Sequence, residues 1–220
     1  PQTALSPKKI IFPQREVLLR FNTNEKGFEV EEVLPEEKPL VIFGVRPCDA
    51  RALTLTDSVF GGDFEDPYYW RRRNSTTLVG LACNTAPSPN CFCLSVNGSP
   101  HSKDGLDMLM TDLGDRYFAE SLTEKGDKLI NLAKNIFEEP KPGDKKEVEK
   151  IRSESEKKIK RQIREVKKIS TKLKGMFDSP FWDEESLSCI RCGVCTYLCP
   201  TCHCFDINDE VTSSSPLKGE

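Results

Sequence analysis

The chain has 220 residues, of which ten are cysteine, and its 32 basic against 35 acidic side chains give a net charge of −3. That length accommodates one domain or two small ones with a core of ordinary size. The chain contains no apolar run of roughly 18 residues, so no membrane-spanning helix is expected. It begins at Pro1 without a secretory leader, and we therefore expect a cytoplasmic piece of a longer protein.

The predicted fold class is α+β, beginning with a mixed α/β domain over residues 1–137. Short apolar or alternating runs predict six strands, at residues 17–21, 28–33, 40–45, 77–82, 108–111 and 117–120. Asp49 is a candidate N-cap for a helix after the third of these strands. Thr123 is a candidate N-cap for a helix that includes the apolar residues from Leu129 to Phe137.

Charged residues dominate the next segment, residues 138–174, which we interpret as a helical linker. It contains 14 basic and eight acidic residues. Five apolar residues recur in its second half at steps of three and four, which predicts one amphipathic helix: Ile159, Ile163, Val166, Ile169 and Leu173. This helix is either a solvated connection or a basic docking surface for an acidic partner subunit. Nucleic acid is not expected as a partner, because no aromatic residues are interleaved with the charges.

Six of the ten cysteines crowd into residues 189–204, inside a predicted third region that spans residues 175–220. Clustered cysteines without an export signal favour metal-bound thiolates over disulfides. Four of them follow the spacing C-x2-C-x2-C-x3-C-P by which bacterial ferredoxins bind 4Fe–4S clusters: Cys189, Cys192, Cys195 and Cys199. The alternative is a zinc-stabilised structural or interaction module. Structural zinc sites, however, usually combine two C-x2-C pairs across a longer loop, which is not the spacing seen here.

This ferredoxin-type run leaves one cluster incomplete. In two-cluster ferredoxins the fourth cysteine, here Cys199, binds the other cluster, which takes its remaining ligands from a second run. No second run follows before Glu220, so we expect one beyond that residue. The other possibility is that Cys202 and Cys204 complete the site, although we expect both to pack as small apolar residues. The last residues of the chain are expected to be unstructured.

Four further cysteines are predicted to meet at one edge of the first domain's sheet. Cys48 and Cys83 each follow a predicted strand, and the carboxyl ends of parallel strands are where open α/β sheets bind ligands. Cys91 and Cys93 lie on a Pro/Asn-rich loop that can fold over the same edge. Considered one at a time, each of these cysteines would be interpreted as an ordinary core residue or an incidental cysteine. Together, as a sheet-edge group, they predict a third 4Fe–4S cluster.

Five arginines accompany the sheet-edge group in sequence: Arg46, Arg51, Arg71, Arg72 and Arg73. Guanidinium groups near a cluster with four thiolates would raise its reduction potential, whereas the alternative for each is a surface ion pair. The sequence contains no nucleotide-binding glycine motif, no zinc-peptidase motif and no nucleophile elbow. It therefore predicts no catalytic site of its own.

The chain resembles a family of 4Fe–4S dicluster proteins that includes the beta subunit of sulfhydrogenases and the corresponding subunit of anaerobic sulfite reductases. The resemblance covers nearly the whole chain and is most specific in the cysteine segments GVRPCDARAL, LVGLACNTAPSPNCFC and CIRCGVCTYLCPTCHCFDI. It is also carried by FPQREVLLRF, DPYYWRRRN and TDLGDRYFAE. Members of the family continue to a second ferredoxin run beyond the point that corresponds to the end of this sequence.

The resemblance implies an electron-transfer subunit of a multi-subunit oxidoreductase rather than an enzyme with its own catalytic site. Its partners would be a flavoprotein linked to NAD(P)H or ferredoxin and a catalytic subunit, between which it would relay electrons. One to three 4Fe–4S clusters are expected as cofactors. The expected ligands are the cysteines of the two groups: Cys189, Cys192, Cys195, Cys199, Cys48, Cys83, Cys91 and Cys93.

Overall fold

A computed structural model describes residues 5–24 and 27–220 of the chain. Helices and strands both occur along its length, which confirms the predicted α+β class. The first half contains α1 (Lys8–Ile11), β1 (Leu19–Asn24), β2 (Gly27–Glu32), β3 (Leu40–Val45), α2 (Pro47–Phe60), α3 (Pro67–Ser75), β4 (Thr76–Leu81), β5 (Met108–Asp112) and β6 (Tyr117–Ser121). The second half contains α4 (Glu124–Leu132), α5 (Asp144–Lys157), α6 (Val166–Lys174), α7 (Phe181–Ser186), α8 (Val194–Leu198), β7 (Val211–Ser214) and β8 (Leu217–Gly219).

Strands β3 to β6 form a four-stranded sheet in which β3, β4 and β5 are parallel and β6 is antiparallel to β5. All four strands were predicted from the sequence, and the structure confirms them. Helices α2 and α3 connect β3 to β4, and their buried Leu53 and Tyr69 share one core with Leu78 of β4 and Leu109 of β5. This core holds the carboxyl ends of β3 and β4 side by side at one edge of the sheet.

Two predicted helix caps have different outcomes. Helix α2 begins at Pro47 with Arg46 at the N-cap position, so the prediction that Asp49 caps it is wrong. Proline favours the first helical position because its φ angle is already helical and it has no N–H that needs a partner. The predicted Thr123 cap is confirmed, since its hydroxyl accepts a hydrogen bond from the Gly126 N–H at 3.5 Å at the start of α4.

A second four-stranded sheet joins the two ends of the described chain. Its strand order is β2-β1-β8-β7, and β8 pairs antiparallel with β1 through Phe21 and Gly219. The hydroxyl of Thr23 donates a hydrogen bond to the Leu217 carbonyl at 3.2 Å and accepts one from the Leu217 N–H at 3.0 Å. The expectation of an unstructured end is therefore wrong. The free edge of β1 offers backbone donors and acceptors to a segment whose own sequence has little strand character.

The charged segment contains two helices instead of the one continuous amphipathic helix that was predicted. Helix α5 ends at Lys157 and α6 begins at Val166, so Ile159 and Ile163 lie in the break between them. There the chain bonds to the loop that carries Cys91 and Cys93: the Ile163 N–H donates to the Ser95 hydroxyl at 2.9 Å. These contacts replace the hydrogen bonds that would have continued the helix, and Ile159 becomes buried.

Candidate metal centres

The sheet-edge group is assembled by the parallel pairing of β3 and β4. Cys48 lies in the first turn of α2, directly after β3, and Cys83 follows the end of β4. The Cys83 N–H donates to the Pro100 carbonyl at 2.8 Å, which fixes the chain as it leaves the sheet. The structure thus places Cys48 and Cys83 at the same edge, where the sequence predicted them.

Cys91 and Cys93 reach this edge on the loop that follows β4. The Cys91 N–H closes a turn on the Ser88 carbonyl at 3.1 Å, and the Cys93 carbonyl accepts from the Gly98 N–H at 2.9 Å. Both thiols act electrostatically on Cys83 and help to raise its pKa. The loop therefore folds over the sheet edge, and the four cysteines lie close enough to influence one another's ionisation.

Burial dominates the chemistry of these thiols. Cys48 retains some exposed surface, yet desolvation by the surrounding protein, together with Asp49, Cys83 and Cys93, raises its pKa to about 12. Burial also raises the pKa of Cys83 and of Cys93. Cys48, Cys83 and Cys93 are therefore protonated at neutral pH, and binding a metal cluster through their thiolates would release protons.

Two of the five arginines lie at the sheet-edge group. Arg46 places its Nη1 3.9 Å from the Cys83 sulfur and lowers the pKa of that thiol, opposing the effect of burial. The Arg51 guanidinium donates to the Val96 carbonyl and braces the turn that begins at Cys93. The other three form ion pairs elsewhere, namely Arg71 with Glu37, Arg72 with Glu16 and Arg73 with Asp57.

The ferredoxin-type run forms an exposed loop and a short helix. Cys189 and Cys192 precede α8, Cys195 lies within it and Cys199 follows it, and all four residues are exposed. Gly193, at the N-cap of α8, has a φ angle of +72°, a left-handed conformation that favours glycine. The glycine turns the chain between the second and third cysteines of the run.

Cys199 has polar neighbours that act on its thiol. Burial acts to raise the pKa of its thiol, but hydrogen bonds from the Thr201 hydroxyl and from the backbone of Thr201 and Cys202 lower it overall, with help from the positive charge of Lys8. The Thr201 oxygen lies 3.3 Å from the Cys199 sulfur. These interactions favour a thiolate, which is the form that binds iron. No motif in the sequence distinguishes Thr201 or Lys8 from other residues of their types.

Lys8 connects α1 to this run. Its ammonium group donates hydrogen bonds to the carbonyl oxygens of Thr196, Cys199 and Cys202, at 3.1, 2.8 and 3.0 Å. A cleft of about 960 Å³ opens beside these contacts and is lined by Lys8, Cys202 and Cys204 among others. Cys202 is half-buried and Cys204 is exposed, so neither packs fully as a small apolar residue.

Both groups fit 4Fe–4S clusters in their donor chemistry. Each offers cysteine thiols with a cation nearby, and 4Fe–4S clusters are held by cysteine thiolates. Within residues 5–24 and 27–220, no three His, Cys, Asp or Glu side chains are gathered closely enough to hold a metal ion. In the same residues, no helix is both long and apolar enough to cross a membrane.

Comparisons with known proteins agree with this chemistry. Residues 188–219 match a family described as a 4Fe-4S dicluster domain. The chain is 30% identical over 208 residues to sulfhydrogenase 2 subunit beta of Pyrococcus furiosus, a match that covers 94% of this chain and 60% of the relative. The chain thus spans about three fifths of the length of this curated relative. No solved structure matches it.

The matched domain contains the whole ferredoxin-type run, and its description names the cofactor that the spacing predicted. The prediction of 4Fe–4S clusters as cofactors is therefore confirmed. The similarity to the sulfhydrogenase subunit extends well beyond that domain, through the strands that carry the sheet-edge group. Residues 188–219 belong to the 4Fe-4S dicluster domain family, and the chain is similar along most of its length to a sulfhydrogenase beta subunit.

Proposed function

We propose that this chain is an iron–sulfur electron-transfer subunit of a hydrogenase-like oxidoreductase complex. The observation that carries the proposal is that one chain has two separate cysteine groups, each with four cysteines and an adjacent cation. Arg46 lies at the sheet-edge group and Lys8 at the ferredoxin-type run. Two centres on one chain suit a relay of single electrons better than chemistry on a substrate.

The proposed ligands divide between the two groups. Three cysteines of the ferredoxin-type run hold one 4Fe–4S cluster, while Cys199 contributes to a second. The sheet-edge group holds a third. This division follows the proposed domains, which are an α/β domain over residues 1–137, a charged linker over residues 138–174 and a ferredoxin-type segment over residues 175–220.

The clusters supply one-electron redox chemistry when bound, and the protein determines where they sit and how they are charged. Parallel strands β3 and β4 hold Cys48 and Cys83 at one edge. Arg46 lowers the pKa of the Cys83 thiol and favours the thiolate. Thr201 does the same for Cys199. A partially desolvated site also protects reduced iron–sulfur centres from water.

The partners of the relay are a flavoprotein and a catalytic subunit. The charged linker favours one partner with an acidic surface, since residues 157–174 contain nine basic side chains and one acidic side chain. This basic segment lies along the cysteine loop: Arg161 donates to the Asn90 side chain at 2.6 Å and Lys158 to the Asn84 carbonyl at 3.2 Å. An acidic partner would therefore be attracted to the surface beside the sheet-edge group.

Anaerobic purification tests the proposal. We expect a brown protein that contains iron and acid-labile sulfide in equal amounts. A colourless protein with stoichiometric zinc would instead establish the zinc-stabilised interaction module and end the electron-transfer proposal.

A matched pair of ligand variants tests the division into two groups. Cys192→Ser should remove the electron paramagnetic resonance signal of one cluster and leave that of the sheet-edge group. Cys83→Ser should do the reverse. Loss of all iron in both variants, or of none in either, contradicts the division.

A further inference from the structure

Every hydrogen-bond donor of the Lys8 ammonium group has an acceptor within the protein. A lysine ammonium has three donors, and here all three are directed at the carbonyls of Thr196, Cys199 and Cys202. Only 6% of the residue's surface is exposed, so these carbonyls replace water around the charge. The contacts bridge 188 to 194 residues of sequence, which makes them a tertiary feature that local structure does not explain.

The three carbonyls belong to the part of the run that surrounds Cys199. The Thr196 carbonyl lies in the last turn of α8, where carbonyl groups lack partners within the helix and favour a nearby cation. The Cys199 carbonyl also accepts from the Cys202 N–H at 3.3 Å, in the turn that follows. Lys8 thus holds the end of α8 and the next turn in one arrangement.

The charge of Lys8 is not neutralised by these contacts. Within residues 5–24 and 27–220, its donors meet backbone carbonyls and no carboxylate, so its positive charge lies at a desolvated position beside the cysteines. A charge in such surroundings acts more strongly on its neighbours than one in water. A 4Fe–4S cluster with four thiolates is negatively charged and gains a further negative charge on reduction.

We propose that Lys8 is a positioning residue for the ferredoxin-type run. Its ammonium group clamps the backbone around Cys199, and its charge raises the reduction potential of the cluster bound there. This inference rests on the proposed function, since it assigns a role toward the cluster to which Cys199 contributes. It predicts two separable effects, one on the backbone and one on the potential.

Neutral and charge-conserving variants of the full chain separate the two effects. Lys8→Gln keeps hydrogen-bond donors without the charge, Lys8→Met removes both, and Lys8→Arg keeps both. Lys9→Gln is the matched control, because Lys9 is the next residue of α1 and is exposed. The measurements are the midpoint potential of each cluster by spectroelectrochemical titration and amide hydrogen exchange in the cluster-free chain.

We expect Lys8→Gln and Lys8→Met to lower the midpoint potential of the cluster to which Cys199 contributes and to leave that of the sheet-edge group unchanged. Lys8→Arg and Lys9→Gln should retain the native potential. In the cluster-free chain, the amides of Cys199 and Cys202 should exchange about tenfold faster in Lys8→Met, because the hydrogen bonds that close their turns lose support.

An unchanged potential in both neutral variants overturns the electrostatic half of the proposal. Unchanged exchange in Lys8→Met overturns the clamp, and this measurement decides the case in which a variant folds but takes up no cluster. Should Lys8→Met fail to fold, Lys8→Gln carries both comparisons. If the native chain lacks iron and sulfide, the proposed function fails, while the exchange measurement still decides the clamp.

Discussion

The two cysteine groups are built by opposite means. The sheet-edge group takes its cysteines from the ends of two strands and a loop, and the packed core around Leu53 and Leu78 brings them together. The ferredoxin-type run places four cysteines within one short stretch, and large apolar residues near it are exposed, including Leu187 at 85% and Ile190 at 84%. One group depends on the fold of its domain, whereas the other depends on local spacing.

This difference explains the contrast in thiol chemistry. Packing against a core desolvates the sheet-edge group and raises the pKa of Cys48, Cys83 and Cys93. An exposed loop leaves its thiols to be tuned by individual hydrogen bonds, and the pKa of Cys199 is lowered by such contacts. Thiols in a site assembled by packing therefore keep their protons, whereas a thiol on an exposed loop depends on polar neighbours to favour the thiolate.

The largest expected effect comes from breaking the core beneath the sheet-edge group. Leu78→Ala should destabilise the first domain by about 2 to 5 kcal/mol, because Leu78 is fully buried and its truncation leaves a cavity. Urea unfolding measures the loss. The signal of the sheet-edge cluster should weaken, while the ferredoxin-type run keeps its own signal.

Phe64→Ala is the control, since Phe64 is 90% exposed and its truncation should change the unfolding free energy little. Equal loss of both cluster signals in Leu78→Ala would show that the two groups do not differ in their dependence on the core.

The second effect is a pH dependence of the cluster-free chain. Cys48 holds its proton more tightly in the folded state, with a pKa of about 12 against 9.0 unfolded. Between these values the folded state binds more protons than the unfolded state, so stability is present below about pH 9 and is lost as the pH rises toward about 12. Urea unfolding at several pH values measures this slope.

Cys48→Ala isolates the contribution of this thiol, because other groups titrate in the same range. The slope above pH 9 should be shallower in the variant than in the native chain. Identical slopes would mean that burial does not affect the ionisation of Cys48.

The third effect concerns the cation at the sheet-edge group. Arg46→Met should lower the reduction potential of that centre, because the guanidinium lies 3.9 Å from the Cys83 sulfur. Since the guanidinium is partly exposed, the free energy of reduction should change by only about 1 kcal/mol. Spectroelectrochemical titration measures the shift. Arg71→Met is the control, since Arg71 pairs with Glu37 instead. Equal shifts in the two variants would contradict a specific role for Arg46.

The smallest effect is expected at the basic surface. Reversing the exposed Lys158 and Arg161 to Glu should slow reduction by a small acidic ferredoxin about tenfold at low salt, and the difference should vanish at high salt. Stopped-flow absorbance measures the rates. Reversing Lys145 and Lys146, at the other end of the charged segment, is the control. A rate that does not depend on salt would exclude electrostatic docking at this surface.

Much of the architecture near the sheet-edge group was predictable. The runs LVIFGV and TLVGLA are short and continuously apolar, which is typical of parallel strands, although β3 lies at the edge of the sheet and β4 inside it. Their parallel pairing then placed Cys48 and Cys83 without further information. By contrast, β7 and β8 have few apolar residues, and they form strands because β8 pairs with the edge of β1 and β7 pairs with β8.

The break in the charged segment was also beyond prediction. Periodicity alone favours one helix through Ile159 and Ile163, because it records only which residues are apolar. The Ser95 hydroxyl, far away in sequence, takes the Ile163 N–H and interrupts the helix.

The sequence by itself determined the cofactor, since the spacing of cysteines before a proline is a local requirement of the 4Fe–4S cluster. It also determined the two strands of the sheet-edge group, through their continuous apolar runs. Only the tertiary structure determined which cations lie beside each cysteine group. Arg46 and Lys8 look like other basic residues in sequence, and their roles arise only because folding brings them to Cys83 and Cys199 and removes the water around them.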